Sequence, residues 1–241
     1  MQSSRFHLSS SIGKKLLTGI TGVGLMGFLV LHLVGNLNLL FGKDAFNGYT
    51  HKLEGLGELL VVAELGLLAV FLIHVASAVS VWMNNRKART VQNSVVRSKG
   101  APSRQTVSSR SMIISGAILF VFIVVHVLQF RFGPSVQDGY VTHLGNEQVR
   151  DLDRLVVETF KQLPFVVGYM AVMVVLGLHL RHGFWSAFQS LGLLNPRLRT
   201  LAFSAGVVVA VVLALGFFIL PIYVYLFAPV PGTGLALAPH A

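Results

Sequence analysis

Residues 163–190 read LPFVVGYMAVMVVLGLHLRHGFWSAFQS. The first eighteen carry no Asp, Glu, Lys or Arg, and they include one histidine, His179. At about 1.5 Å per residue an apolar helix of some 20 residues crosses the ~30 Å hydrocarbon core of a bilayer. Pro164 falls where a helix tolerates proline, in the first turn. Trp185 falls where interfacial aromatics collect. The stretch therefore predicts a membrane-spanning helix that runs on to Ser190. Four more apolar stretches of similar length occur at 16–41, 59–83, 112–130 and 201–227. The predicted fold class is all-α, an integral membrane bundle of five transmembrane helices forming a single domain over residues 1–241.

Composition supports this reading. The chain is 54% hydrophobic and 12% charged, with mean hydropathy +0.71, whereas a soluble domain carries roughly 25% charged residues. No cysteine is present, which excludes disulfides, thiolate catalysis, Cys-ligated iron–sulfur clusters and covalently attached haem. Any metal must be held by His, Asp or Glu. The net charge of +10 would suggest nucleic acid in a soluble protein. Here it reads as basic cytoplasmic loops, with no nucleic-acid partner.

The charges orient the bundle. Connection 86–110 contains Arg86, Lys87, Arg89, Arg97, Lys99, Arg104 and Arg110, and no acid. Arg5, Lys14, Lys15, Arg197 and Arg199 fall on the same side. Asp44, Glu54, Asp138, Glu147, Asp151, Asp153 and Glu158 lie in the other connections. The positive-inside rule then puts the N-terminus in the cytoplasm and the C-terminus outside. Span one is too long in its apolar run for a cleavable signal peptide. Gly22-x-Gly24-x-x-Gly27 matches a dinucleotide fingerprint in letters. It lies inside a hydrophobic span with no strand before it, so that reading is rejected.

Of nine histidines, His7, His51, His143 and His240 fall in termini or connections and read as solvated. His32, His74, His126, His179 and His182 fall in spans or at their ends. A lone intramembrane histidine often serves as an interhelical hydrogen-bonding residue. One in each of the first four spans at matched depth suggests more. His32 follows Lys15 by 17 residues and His126 follows Arg110 by 16, which sets both about 25 Å from the cytoplasmic boundary. His74 follows Glu58 by 16 residues and His179 follows Lys161 by 18, so both lie about 25 Å from the outer boundary. Two layers result, an outer one of His32 with His126 and an inner one of His74 with His179, on the order of 15 Å apart. Two imidazoles facing each other across a bundle are the usual ligands of a b-type haem whose iron has no open position, which suits one-electron transfer. Small residues beside the histidines, such as Gly22, Gly27, Gly116, Gly177 and Gly183, would let a haem plane lie against the helices. They equally allow close helix packing. Arg181 and His182, at the cytoplasmic end of span four, suit the propionates of an inner haem, or Arg181 simply snorkels to the interface.

At these residues the chain resembles the cytochrome b membrane anchor of succinate:quinone oxidoreductases, in the five-helix, two-haem class of succinate dehydrogenases and fumarate reductases. The resemblance spans nearly the whole chain. Its most specific motif is His179-Leu-Arg-His-Gly183-Phe184-Trp185, and the first ligand motif is His32-Leu-Val-Gly-Asn followed by Leu40-Phe41-Gly42. The resemblance implies two haem b groups with His32, His74, His126 and His179 on iron, a flavoprotein subunit and an iron–sulfur subunit docked on the cytoplasmic face, and a membrane quinone, menaquinone, as substrate. The chain would then sit in the cell inner (plasma) membrane among its lipids, as part of an enzyme whose succinate chemistry lies in another subunit. It also implies a quinone site at Glu54, which can equally be an ordinary loop carboxylate. Glu64 lies inside span two, where an ionised carboxylate is expensive; it can be protonated, paired, or lining a quinone or proton path. Where the fumarate reductases carry a glutamate two residues before the fourth ligand, this chain has Gly177. Two other readings compete: the di-haem cytochrome b of a hydrogenase or formate dehydrogenase, and a small proton-coupled transporter.

The motif register selects His179 over His182 as ligand. His182→Ala should leave both haems in place and His179→Ala should remove one, as read from reduced-haem absorbance of the purified chain. The reverse pattern would show that the register is wrong.

Overall fold

A computed structural model describes residues 10–88, 111–193 and 195–230. Connection residues 89–110, with most of the basic cluster, lie outside the described residues, as do His7 and His240. Seven α-helices occur among the described residues: α1 (Ser11–Asn36), α2 (Lys43–Glu54), α3 (Glu58–Lys87), α4 (Met112–His126), α5 (Leu152–Phe160), α6 (Leu163–Ser190) and α7 (Pro196–Phe227). A 3-10 turn, Leu37–Phe41, extends α1, and a π turn, Val127–Arg131, extends α4. Five helical stretches are long and apolar enough to cross a membrane: Ser11–Phe41, Glu58–Lys87, Met112–Arg131, Leu163–Ser190 and Leu198–Phe227. Large apolar side chains stand exposed along them, Leu31, Leu59, Val62, Leu128 and Leu201 among them. Such a surface is costly in water and natural in lipid. The chain is an all-α, multi-pass membrane bundle.

Local chemistry sets the helix ends. Ser10 Oγ accepts from Gly13 N at 3.0 Å and Asn195 Oδ1 from Leu198 N at 2.8 Å, each satisfying a first-turn N–H. After α6, Gly192 adopts φ +70° and Leu193 N donates to Phe188 O at 3.1 Å. That six-to-one bond closes a helix end at a glycine, which bears the left-handed backbone without a Cβ clash. Pro221 lies inside α7 without ending it.

The contacts divide the chain into two compact units. One takes its described residues from 10–29, 63–118 and 176–211, the other from 30–62, 119–175 and 212–230. Each unit therefore holds a segment of every span. In the first, α1 meets α3 through a Thr18–Ser77 hydroxyl bond of 2.8 Å. A Cβ on Gly206 of α7 would fall 2.7 Å from the Phe184 ring of α6, so the bare backbone permits that approach. In the second, Leu39, Phe46, Val156, Val157, Phe160, Val166 and Val224 form a hydrophobic core.

That second unit also carries structure that hydropathy alone leaves as connections. Residues Val141–Leu144 and Glu147–Arg150 pair antiparallel as β1 and β2, around the two-residue turn Gly145-Asn146. Gly145, at φ +62°, supplies the positive φ that such a turn needs at its first position. Helices α2 and α5 are joined through Asn47, which is fully buried: its Nδ2 donates to Asp151 Oδ1 at 2.9 Å and its Oδ1 accepts from Asp153 N at 3.0 Å. Asp151 also caps α5 by accepting from Arg154 N and pairs with Lys43 at 2.8 Å. Arg150 of β2 reaches the end of the third span. Its Nη2 donates to Phe130 O at 2.9 Å and its Nε to Pro134 O at 3.0 Å, which satisfies carbonyls that a helix terminus leaves unpaired. Burial pulls the Arg150 guanidinium below its ordinary value, and the charges of Glu54 and Asp138 oppose that pull.

Asp153 has a titratable consequence. Burial, with Asp151 beside it, raises its carboxyl from 3.8 to about 6, against the pull of Lys43. The folded chain therefore holds this proton more tightly than the unfolded chain does. Stability from this group is present at low pH and is lost as pH rises from about 4 through about 6. The melting temperature in detergent should fall across that window in the parent chain, and Asp153→Asn should flatten the fall. Equal slopes in both would contradict the assignment.

Candidate cofactor-binding histidines

The structure puts the two sequence-read layers in different units: His74 and His179 in the first, His32 and His126 in the second. All four imidazoles are half-buried. Helix α1 supplies His32 and α4 supplies His126, and their ring centroids lie 5.8 Å apart with planes at 87°. Two imidazoles on opposite sides of one metal ion, each bonded at about 2.0 Å, have centroids about 6 Å apart. Phe217 lies against His32 at 5.6 Å and Phe122 stacks on His126 at 5.5 Å, so aromatic walls fix both rings. In the first unit His74 and His182 are electrostatic neighbours of His179.

Each imidazole is held by a polar neighbour. Thr21 Oγ1 lies 3.2 Å from His74 Nδ1 and donates its own proton to Leu17 O at 2.6 Å. Ser115 Oγ lies 3.0 Å from His179 Nδ1 and donates to Met112 O at 3.1 Å. Tyr169 Oη lies 3.3 Å from His126 Nδ1 and donates to Gln129 Oε1 at 2.8 Å. A hydroxyl has one proton. With that proton given elsewhere, the oxygen accepts from Nδ1–H, and Nε2 keeps the lone pair. His32 differs. Asn36 Nδ2 donates to His32 O at 2.8 Å and lies 3.4 Å from His32 Nε2. Here the polar neighbour faces Nε2 instead of Nδ1. The three rings held at Nδ1 thus adopt the Nδ1–H form. Metal-ligating histidines keep their other ring N–H on a second partner in the same manner.

A glycine makes room at one ring, and another borders a second ring at ordinary contact distance. A Cβ on Gly22 would lie 3.2 Å from His74 Cε1, and one on Gly116 would lie 3.6 Å from His179 Cε1. Gly27 and Gly183 would meet nothing within 4 Å. Arg181 lies 5.9 Å from the Phe203 ring centroid on α7, and His182 is half-buried beside it. Glu54 is the exposed last residue of α2, where its charge acts on Arg150. Glu64 is half-buried in α3. His51 is more than solvated, since its Nε2 lies 2.9 Å from Glu147; His143 is exposed on β1.

Sequence reading missed Thr21, Tyr169 and Gln129, and took Asn36 only as part of the first ligand motif. Asn36 had a legible signal, four residues after His32 on one helical face. Gln129 likewise follows His126 by three residues on one span, whereas Thr21 and Tyr169 come from helices other than that of their ring, and no spacing announces them. No family model matches this chain, and no curated protein or solved structure matches it significantly.

Gly22→Ala should crowd His74 and lower the melting temperature, by about 1–3 kcal/mol in stability. Gly27→Ala, on the same helix with open space, should cost little. Thermal unfolding in detergent compares them, and equal costs would show that Gly22 is not shaped around the imidazole.

Proposed function

We propose that this chain is the membrane anchor and electron-transfer subunit of a succinate:quinone oxidoreductase, holding one haem b between His32 and His126 and another between His74 and His179. The observation that carries the reading is the hydroxyl placement: His74, His126 and His179 each set Nδ1 against an oxygen that gives its proton elsewhere, which leaves Nε2 as the lone-pair nitrogen. A histidine serving packing alone needs no common tautomer. The 5.8 Å separation of the His32 and His126 rings supports the fit, as does the all-imidazole donor set in a chain without cysteine.

A haem held by two imidazoles supplies one-electron transfer at an iron with no open position. The chain's own residues do the rest. His32, His74, His126 and His179 give lone pairs. Thr21, Ser115 and Tyr169 accept the opposite ring N–H, which fixes ring orientation and raises donor strength. Arg181 and His182 suit the propionates of the haem at His179. Exposed apolar side chains keep the spans in lipid. Glu54 and Glu64 are the carboxylates proposed for proton exchange with a quinone, menaquinone by the resemblance. Electrons would pass between that quinone and an iron–sulfur subunit, itself fed by a flavoprotein subunit. Both would sit on the cytoplasmic face beside the basic connection, in the plasma membrane.

The test is haem content. Pyridine haemochrome assay of the purified chain should give two haems per chain. His32→Ala or His126→Ala should remove one of them, and His74→Ala or His179→Ala the other, with distinct midpoint potentials identifying which remains. No haem, or one haem untouched by a whole pair of variants, would overturn the proposal.

A further inference from the structure

The three hydroxyls that meet Nδ1 are not equivalent. Thr21 and Ser115 commit their protons to backbone carbonyls of their own helix. Tyr169 commits its proton to a side chain from another helix, Gln129 on the π turn that follows His126. Gln129 Nε2 in turn donates to Thr159 Oγ1 of α5 at 3.3 Å, and Thr159 is buried. All four residues lie in one unit. Phe122, Phe130 and Phe160 surround the Tyr169 ring at 5.0, 6.3 and 4.9 Å between centroids, which holds it in this pose.

We infer that Gln129, two hydrogen bonds from the imidazole, selects the tautomer of His126 by accepting the single proton of Tyr169. The logic is one of direction. While Oε1 takes the phenol proton, the Tyr169 oxygen can only accept, and His126 must present Nδ1–H to it. Without an acceptor at position 129, the phenol proton turns to His126 Nδ1. The ring proton then moves to Nε2, the nitrogen that would bind metal. With Gln129 Nε2 donating to Thr159 Oγ1, α5 reaches the imidazole through three hydrogen bonds. Gln129 is a positioning residue, and the inference rests on reading His126 as a ligand.

Direction separates this role from packing. Gln129→Leu removes the acceptor and leaves the donor, so it should harm ligation more than Tyr169→Phe, which removes both. Gln129→Glu keeps an acceptor and should restore the parent behaviour. The full chain, labelled with ¹⁵N-histidine and produced without haem, reports the tautomer in nanodiscs. His126 should appear as Nδ1–H in the parent and in Gln129→Glu, and as Nε2–H in Gln129→Leu. In chain purified with haem, Gln129→Leu should lose the haem of His32 and His126 and retain the other. Tyr169→Phe should keep both haems, with the midpoint potential of the first shifted upward as its ligand becomes a weaker donor. An Nε2–H parent, an unchanged ring in Gln129→Leu, or a greater haem loss in Tyr169→Phe than in Gln129→Leu would overturn the inference. The tautomer reading stands apart from haem uptake, so failure of the haem proposal and failure of this one are distinguishable.

Discussion

An imidazole inside a bilayer cannot turn to water for its N–H. In hydrocarbon every polar group must find its partner within the protein or forfeit several kcal/mol. Most of what joins the helices around the four histidines follows from that. His74 draws in Thr21 of α1, His179 draws in Ser115 of α4, and His126 draws in Tyr169 of α6. Interhelical bonds of this kind are worth about 0.6–1.7 kcal/mol each in membrane proteins, a modest sum. Their larger effect is on orientation, because a ring tied at Nδ1 can present only Nε2 to the opposite side.

The same constraint shapes the end of the third span. The α-helix stops at His126 and the backbone widens into a π turn over Val127–Arg131. Single π turns recur at functional sites because the wider turn redirects side chains. Here Gln129 lies within it, facing Tyr169. The widened end leaves carbonyls that Arg150 collects from the β-hairpin. Hairpin, α2 and α5 therefore do more than close loops: they hold the segment that follows His126.

Hydropathy made the five spans legible almost to their ends, because lipid selects composition directly. The span expected over 163–190 is α6, and Pro164 lies in its first turn. Depth arithmetic gave the His32–His126 pair before any contact was known. The polar connections were another matter. The four-residue strands flanking Gly145-Asn146 carry a turn signal, yet charge rather than periodicity dominates there. Helix α5 has nine residues, too few to stand out beside spans three times as long. The ring partners were least legible: Thr21, Ser115 and Tyr169 look like ordinary span residues until the fold brings them to a histidine.

Helix α3 buries none of its most apolar eighteen residues, although their mean hydropathy is 2.5. Its place in the membrane therefore comes from partition into lipid, independent of its neighbours. Among the described residues, the contacts that hold it against α1 include the Thr18–Ser77 hydroxyl bond, the Thr21–His74 contact and the close approach of Gly22 and Gly24 to His74 and Val70. Insertion and assembly are thus separate events for this segment. Damage at the docking residues would leave a helix that is correctly threaded by the translocation machinery yet stranded in the lipid, a fault in biogenesis that hydropathy cannot register.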